Sequence, residues 1–185
     1  MNLRKNNCYV ITGGPGVGKT KLLNELAKHG FKVVPEDARE IIKKETENGG
    51  DGLPWKNKER YTYLMLEKAF ENYKSVSYDE IEPYFFDRGI LDAICYAGMI
   101  ELTIPCDIEK IVRNSLYNKK VFMLPPWKEI YHTDSERKQD WEEAILTFEK
   151  MKETYINYGY EIIEVPKDIV ENRATFVLNN INSSR

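Results

Sequence analysis

Short runs of β-branched and aromatic residues alternate along this chain with longer stretches whose apolar positions recur at helical spacing. Cys8 to Thr12 is a compact apolar run ending in glycines, the pattern of a strand buried on both faces. A helix is predicted from Lys19 to about Lys28, carrying Leu22, Leu23 and Leu26, with Gly30 to end it. Phe31 to Pro35 reads as a second strand, and Asp37 as the cap of a helix through about Glu47. Gly49 to Pro54 is a glycine-rich turn, flexible or ligand-facing, before a long helix over Asn57 to Lys74. Tyr84 to Asp87 is the third strand and Gly89 to Met99 a helix; a short helix follows, marked by Ile108, Ile111, Val112, Ser115 and Leu116. Lys120 to Leu124 is the fourth strand. Trp141, Ala144, Ile145, Phe148, Met151 and Tyr155 make one helical stripe before a fifth strand, Glu161 to Val165. Pro166 opens a last helix whose apolar face is Ile169, Val170, Ala174, Val177 and Ile181. Strands alternating with helices imply right-handed βαβ units, hence a five-stranded parallel sheet in a three-layer α/β/α domain.

Composition narrows the class without naming a function. With 185 residues, 42% apolar and 31% charged, the chain fits one globular domain spanning 1–185. No apolar run reaches the ~20 residues a membrane span needs, and the polar start has no secretory signal. Cys8, Cys95 and Cys106 are odd in number and widely spaced, which argues against disulfides and zinc and for a reducing cytoplasm. His29 and His132 stand apart from any metal-ligand spacing. A net charge of −3 disfavours nucleic acid as the principal partner, while a phosphate ligand needs only local positive charge.

That local charge is supplied by one motif. Gly13-Gly14-Pro15-Gly16-Val17-Gly18-Lys19-Thr20 satisfies G-x-x-x-x-G-K-[ST] in full, between a predicted strand and a predicted helix. Glycines without Cβ atoms let successive N–H groups approach phosphate oxygens, and the helix starting at Lys19 adds its positive dipole end. Lys19 then reaches the β- and γ-phosphates, Thr20 offers a hard oxygen to Mg²⁺, and Lys21 follows in the same first turn. The expected ligand is a purine nucleoside triphosphate, ATP or GTP, with Mg²⁺.

Three further segments are candidates for the rest of a site. Asp87 ends an apolar strand, where a second anchor for Mg²⁺ belongs; the alternative is an N-cap for the helix after Gly89. Arg88 either faces a transferred phosphate or acceptor, or pairs with a surface carboxylate. Glu36 is placed to accept a proton from an attacking hydroxyl, and Arg39 to hold an anionic group on the substrate. Acids in a first helical turn also suit the macrodipole, so both readings stay open. Trp127 to Asp140 is charged and lies where a lid over the γ-phosphate belongs, with Arg137 and then Lys138 as its cations; Ser135 as a plain helix cap is the competing reading. Trp55, Trp127 and Tyr131 either line an acceptor pocket or cover the sheet ends.

Taken in order, Val10 to Thr20, Glu36 to Glu40, Phe85 to Gly89, Leu124 to Trp127, Glu136 to Gln139 and Ile163 to Pro166 resemble the NadR-like AAA-type P-loop ATPase family. That group is akin to the ribosylnicotinamide kinase domain of the bacterial NAD regulator and to small P-loop kinases. The resemblance covers nearly the whole chain and implies a kinase-type sheet of order 2-3-1-4-5, with the loop after the fifth strand near the base. No appended oligomerisation domain of larger AAA machines is visible, which speaks against a ring-forming motor and for a monomer or homodimer.

Two functions therefore remain. One is an enzyme that transfers or hydrolyses the γ-phosphate of ATP, with a small nucleoside-like acceptor. The other is a nucleotide-gated binding protein that holds ATP or GTP with little turnover.

Overall fold

The computed structural model describes residues 4–36, 38–130 and 141–182. Its strands are β1 (Cys8–Gly13), β2 (Lys32–Val34), β3 (Tyr84–Asp87), β4 (Lys120–Leu124) and β5 (Glu161–Glu164). They pair in parallel throughout, in the order β2-β3-β1-β4-β5. This is the order the family resemblance implies. The register sets Ile11 beside Asp87 and Gly13 beside Leu124, so the ends of β1, β3 and β4 share one rim.

Alternation along the strands decides which helix covers which face. Tyr9 and Ile11 of β1, with Phe122 and Leu124 of β4, lie on one side with Phe85 of β3. Against them pack α1 (Lys19–Lys28), through Leu22, Leu23 and Leu26, and α7 (Val170–Asn182), through Ala174, Val177 and Ile181. Cys8 and Val10, with Val121 and Met123, face the other way. That side takes α3 (Lys58–Ser75), α4 (Ile90–Met99), α5 (Cys106–Asn114) and α6 (Trp141–Asn157). The result is three layers with both sheet faces buried, as expected of parallel strands. Each large apolar side chain buried between the layers is worth about 1.5–3 kcal/mol. The short helix α2 (Ala38–Glu47) buries no residue and rides at the margin.

Most element positions agree with the pattern of the chain, and the departures have local causes. The last helix does not open at Pro166. It starts at Val170, because the Asp168 carboxylate accepts from the Ile169 amide at 2.7 Å and from Asn172 Nδ2 at 2.9 Å. Ile169 consequently lies outside the helix and is exposed. Helix α5 starts earlier than its apolar stripe, at Cys106 behind Pro105, and ends before Leu116. Ile145 falls off the buried stripe of α6 and faces outward. The glycine-rich turn is tied down: Gly52 N–H donates to Glu45 Oε2 at 2.8 Å, and Leu53 is buried. Asn57 caps α3 by accepting from the Arg60 amide. The cap expected of Asp37 lies outside the described residues.

Candidate functional site

The phosphate loop joins β1 to α1 across residues 13 to 18 and has the backbone its glycines permit. A Cβ on Gly13 would sit 2.7 Å from the Leu124 carbonyl, so the loop leaves the sheet only because no side chain is there. Gly18 caps α1 with φ 81°, a left-handed conformation, and no side chain caps the helix. The first turn of α1 carries no acid. Its unpaired N–H groups and the positive end of its dipole are therefore open to an anion.

Lys19 is buried, and its ammonium binds Asp87 Oδ1 at 2.5 Å with Glu36 Oε2 at 3.5 Å. Thr20 and Lys21 are exposed on the first turn of α1. Asp87 does not cap the helix after Gly89, as one reading of the sequence allowed. Its carboxylate turns to Lys19 instead. Burial pushes the Asp87 carboxyl above the ordinary aspartate value, and the pairing with Lys19 only partly offsets it. Burial acts the same way on Glu36, but there Arg88 and Lys19 together prevail and hold it below the ordinary value.

Arg88 is the hinge of the cluster. It takes φ 69°, unusual for a residue with a side chain, with its N–H donating to the Ile11 carbonyl at 3.0 Å. The guanidinium so aimed meets Glu36 Oε1 at 2.7 Å through Nε and Asp92 Oδ1 at 3.3 Å through Nη1. The Nε contact is close without the alignment of a hydrogen bond. Arg88 does pair with carboxylates, but in the crevice at the strand ends rather than on an open surface.

Two residues outside any motif complete the arrangement. Asp92, on the first turn of α4, accepts from the Thr12 hydroxyl, from Gly89 N–H at 2.8 Å, from Tyr155 Oη at 2.6 Å and from Arg88. It thus ties β1, α4, α6 and Arg88 together. The available signal was a lone carboxylate within the apolar run Ile90 to Cys95, three residues after Gly89, where a reciprocal cap is expected. Arg173 of α7 is 4% exposed and donates from Nη2 to the Val17 carbonyl at 3.0 Å. Its signal was position: it stands one residue before Ala174 and four before Val177, on the helix's buried face.

Beside Glu36 lies Tyr61, buried, its ring edge-on to Tyr96 at 5.8 Å. Burial and the Glu36 charge push the Tyr61 phenol up to about 12. The other expected residues are placed as follows. Trp55 is 65% exposed, and Arg39 is exposed on the first turn of α2. Trp127 lies beside Arg173, 5.9 Å from ring centroid to Cζ, on the α7 side. Arg137, Lys138, Tyr131, His132 and Ser135 lie outside the described residues. His29 contacts Glu25 at 3.7 Å on an exposed helix face. Cys8 and Cys95 are buried, Cys106 is exposed, and none is in a disulfide.

Lys19 and Arg88 face three carboxylates, Asp87, Glu36 and Asp92. Of these, Asp87, with the Thr20 hydroxyl on the neighbouring turn of α1, offers hard oxygens of the kind Mg²⁺ takes when phosphates and waters supply the rest. Among the described residues no group of three His, Cys, Asp or Glu forms an all-protein metal cage.

A parallel sheet of this order, with a glycine-rich loop after its first strand and an acid-arginine step at the end of its third, makes a three-layer α/β/α P-loop fold. Residues 8–173 match the AAA domain family, and the chain belongs to it. Its structure is similar to NadR protein in complex with NR, at 16% identity and TM-score 0.68, covering 96% of this chain and 51% of that one. It is also similar to deoxyadenosine kinase from M. mycoides with bound dATP, at 17% identity and TM-score 0.62, covering 94% and 98%. Thymidylate kinase from Ehrlichia chaffeensis aligns at 14% identity and TM-score 0.57, covering 96% and 98%. At these identities the likeness is one of fold, and it includes the NadR-like architecture expected from the motifs. No curated protein matched the sequence. No described helix is long and apolar enough to cross a membrane.

Proposed function

We propose that this chain binds ATP or GTP with Mg²⁺ and transfers the γ-phosphate to a hydroxyl of a small, nucleoside-like acceptor. The observation that carries the reading is the unbroken line of contacts Asp87–Lys19–Glu36–Arg88, which joins the phosphate loop to a proton acceptor and a cation in one crevice. A simple nucleotide-binding site needs no carboxylate on that second side.

In this reading the loop amides of Gly13 to Thr20 hold the polyphosphate and Lys19 moves from Asp87 to the β- and γ-oxygens. Magnesium, held by Thr20 and by Asp87 with its own waters, would neutralise charge on the transferred group. Glu36 takes the proton of the acceptor hydroxyl, whose oxygen forms a bond to the γ-phosphorus as the bond to the β-bridging oxygen breaks, releasing the diphosphate. Arg88, kept in place by Asp92, orients Glu36 and faces the acceptor. Arg39 and Trp55 would close on the acceptor from the α2 and Gly49-to-Trp55 side, and Arg137 with Lys138 would bring positive charge from a lid at about 127–140. The domain is taken as a single unit over 1–185, acting in the cytoplasm as a monomer or homodimer.

The test is a panel of nucleosides and ribosylnicotinamide incubated with purified protein and either MgATP or MgGTP, with phosphorylated product read by mass spectrometry. One acceptor should gain a phosphate, and Glu36→Gln should abolish that product. Hydrolysis without any phosphorylated acceptor would replace the kinase reading by a hydrolase. Tight nucleotide retention without turnover would replace it by a nucleotide-gated binder.

A further inference from the structure

Arg173 carries a charge that no described residue answers. Its side chain is 4% exposed, yet no carboxylate among the described residues pairs with it. Its contacts among the described residues are the Val17 carbonyl through Nη2 and the Trp127 ring at 5.9 Å, and Nε has no partner among them. A buried cation without a counter-charge is normally removed from a protein or given an acid. Burial depresses its pKa.

Where this guanidinium lies explains why it is tolerated. Nη1 is 2.8 Å from the place a Cβ on Gly18 would occupy, and Nη2 holds the carbonyl one residue earlier. The planar fork is thus laid against the Val17–Gly18 segment of the phosphate loop, immediately before Lys19. A side chain at position 18 would have to displace this guanidinium as well as adopt the left-handed backbone there.

We infer that Arg173 is a positioning residue of the phosphate loop, whose fixed positive charge strengthens the capture of an anionic polyphosphate by the amides it supports. This rests on the nucleotide-binding reading given above and extends it to a residue outside the loop motif. Among the described residues nothing balances this charge, and a bound polyanion would.

The experiment is calorimetric titration of the full chain and of Arg173→Lys, Arg173→Gln and Arg173→Met with MgATP and with inorganic tripolyphosphate, alongside thermal melts without ligand. Glutamine keeps a donor for the Val17 carbonyl but no charge; lysine keeps the charge but not the fork. Arg173→Gln and Arg173→Met should bind both ligands about ten- to a hundredfold more weakly, as loss of a charge-assisted contact implies. Arg173→Lys should recover most of that loss. The ligand-free melting temperature of Arg173→Met should be no lower than that of the parent chain, an outcome a purely structural arginine would not produce. Parent-like affinity in folded Arg173→Gln and Arg173→Met overturns the inference, as does a Gln variant that binds while the Lys variant does not. A parent chain that retains neither ligand overturns the nucleotide-binding reading itself, and this inference with it.

Discussion

Asp92→Asn removes one charge from the site and almost no volume, and the structure says why that small change should be costly. Each carboxylate oxygen faces one adjustable donor and one fixed donor. Oδ1 takes the Thr12 hydroxyl and Arg88 Nη1; Oδ2 takes the Tyr155 hydroxyl and the Gly89 amide. Hydroxyls can rotate and accept from an amide, but a guanidinium and a backbone N–H cannot. Neither orientation of an asparagine amide therefore satisfies the site, because its NH₂ always meets a fixed donor. The Asp92 side chain is 8% exposed, so water does not replace the lost bond. Leaving one such donor unsatisfied and weakening a charge-assisted pair costs about 2–3 kcal/mol. For a chain of this size that is a fall in melting temperature of about 4–12 °C. Differential scanning calorimetry on the ligand-free protein reads it directly. Tyr155→Phe, which removes one adjustable donor, should cost only about 1 kcal/mol. The two substitutions should be less than additive, since they share an acceptor. An Asp92→Asn variant that melts with the parent chain would refute the four-donor account of this carboxylate and the anchoring of Arg88 derived from it.

Glu36→Gln should leave MgATP affinity near that of the parent chain while lowering the rate of acceptor phosphorylation about 10²–10⁴-fold, the span of a lost general base; single-turnover kinetics separates the two. The pH dependence of stability should carry opposite signs at two neighbouring acids. Glu36, held below its ordinary value, contributes stability that is present above the unfolded glutamate pKa and lost as pH falls through its lower folded value. Asp87, pushed above its ordinary value, contributes stability at low pH that is lost as pH rises through its folded value. Melts across the acid range should therefore show Asp87→Asn gaining on the parent chain towards neutral pH and Glu36→Gln losing on it. Thiol titration should find one fast-reacting cysteine, Cys106, because Cys8 and Cys95 are buried and burial pushes each of their thiols up to about 11; Cys106→Ser should abolish the fast phase.

Periodicity and one motif carried much of this structure before any coordinates. The run Tyr84 to Asp87 and the run Lys120 to Leu124 occupy the strands their apolar patterns predict, because a strand buried on both faces cannot hide among polar residues. The phosphate loop was legible because its chemistry demands particular residues at fixed spacing: glycine where a Cβ would strike the Leu124 carbonyl, and lysine and threonine on the first turn of α1. Asp87 was legible as an acid at a strand end, though its contact with Lys19 was not.

What only the tertiary structure decided is partnership. Glu36 follows β2, Asp87 ends β3, Arg88 follows β3 and Asp92 stands on α4, and nothing local says that Arg88 adopts a left-handed backbone to reach both Glu36 and Asp92. Arg173 is separated from Val17 by 156 residues, and its contact exists only because α1 and α7 pack on the same face of the sheet. The sequence alone determined the elements and the phosphate-binding loop, since propensity, alternation and glycine geometry act over a few residues. The ion-pair line and the buried arginine depended on sheet order, which brings distant strand ends to one rim, and charge pairing acts across space without regard to position in the chain.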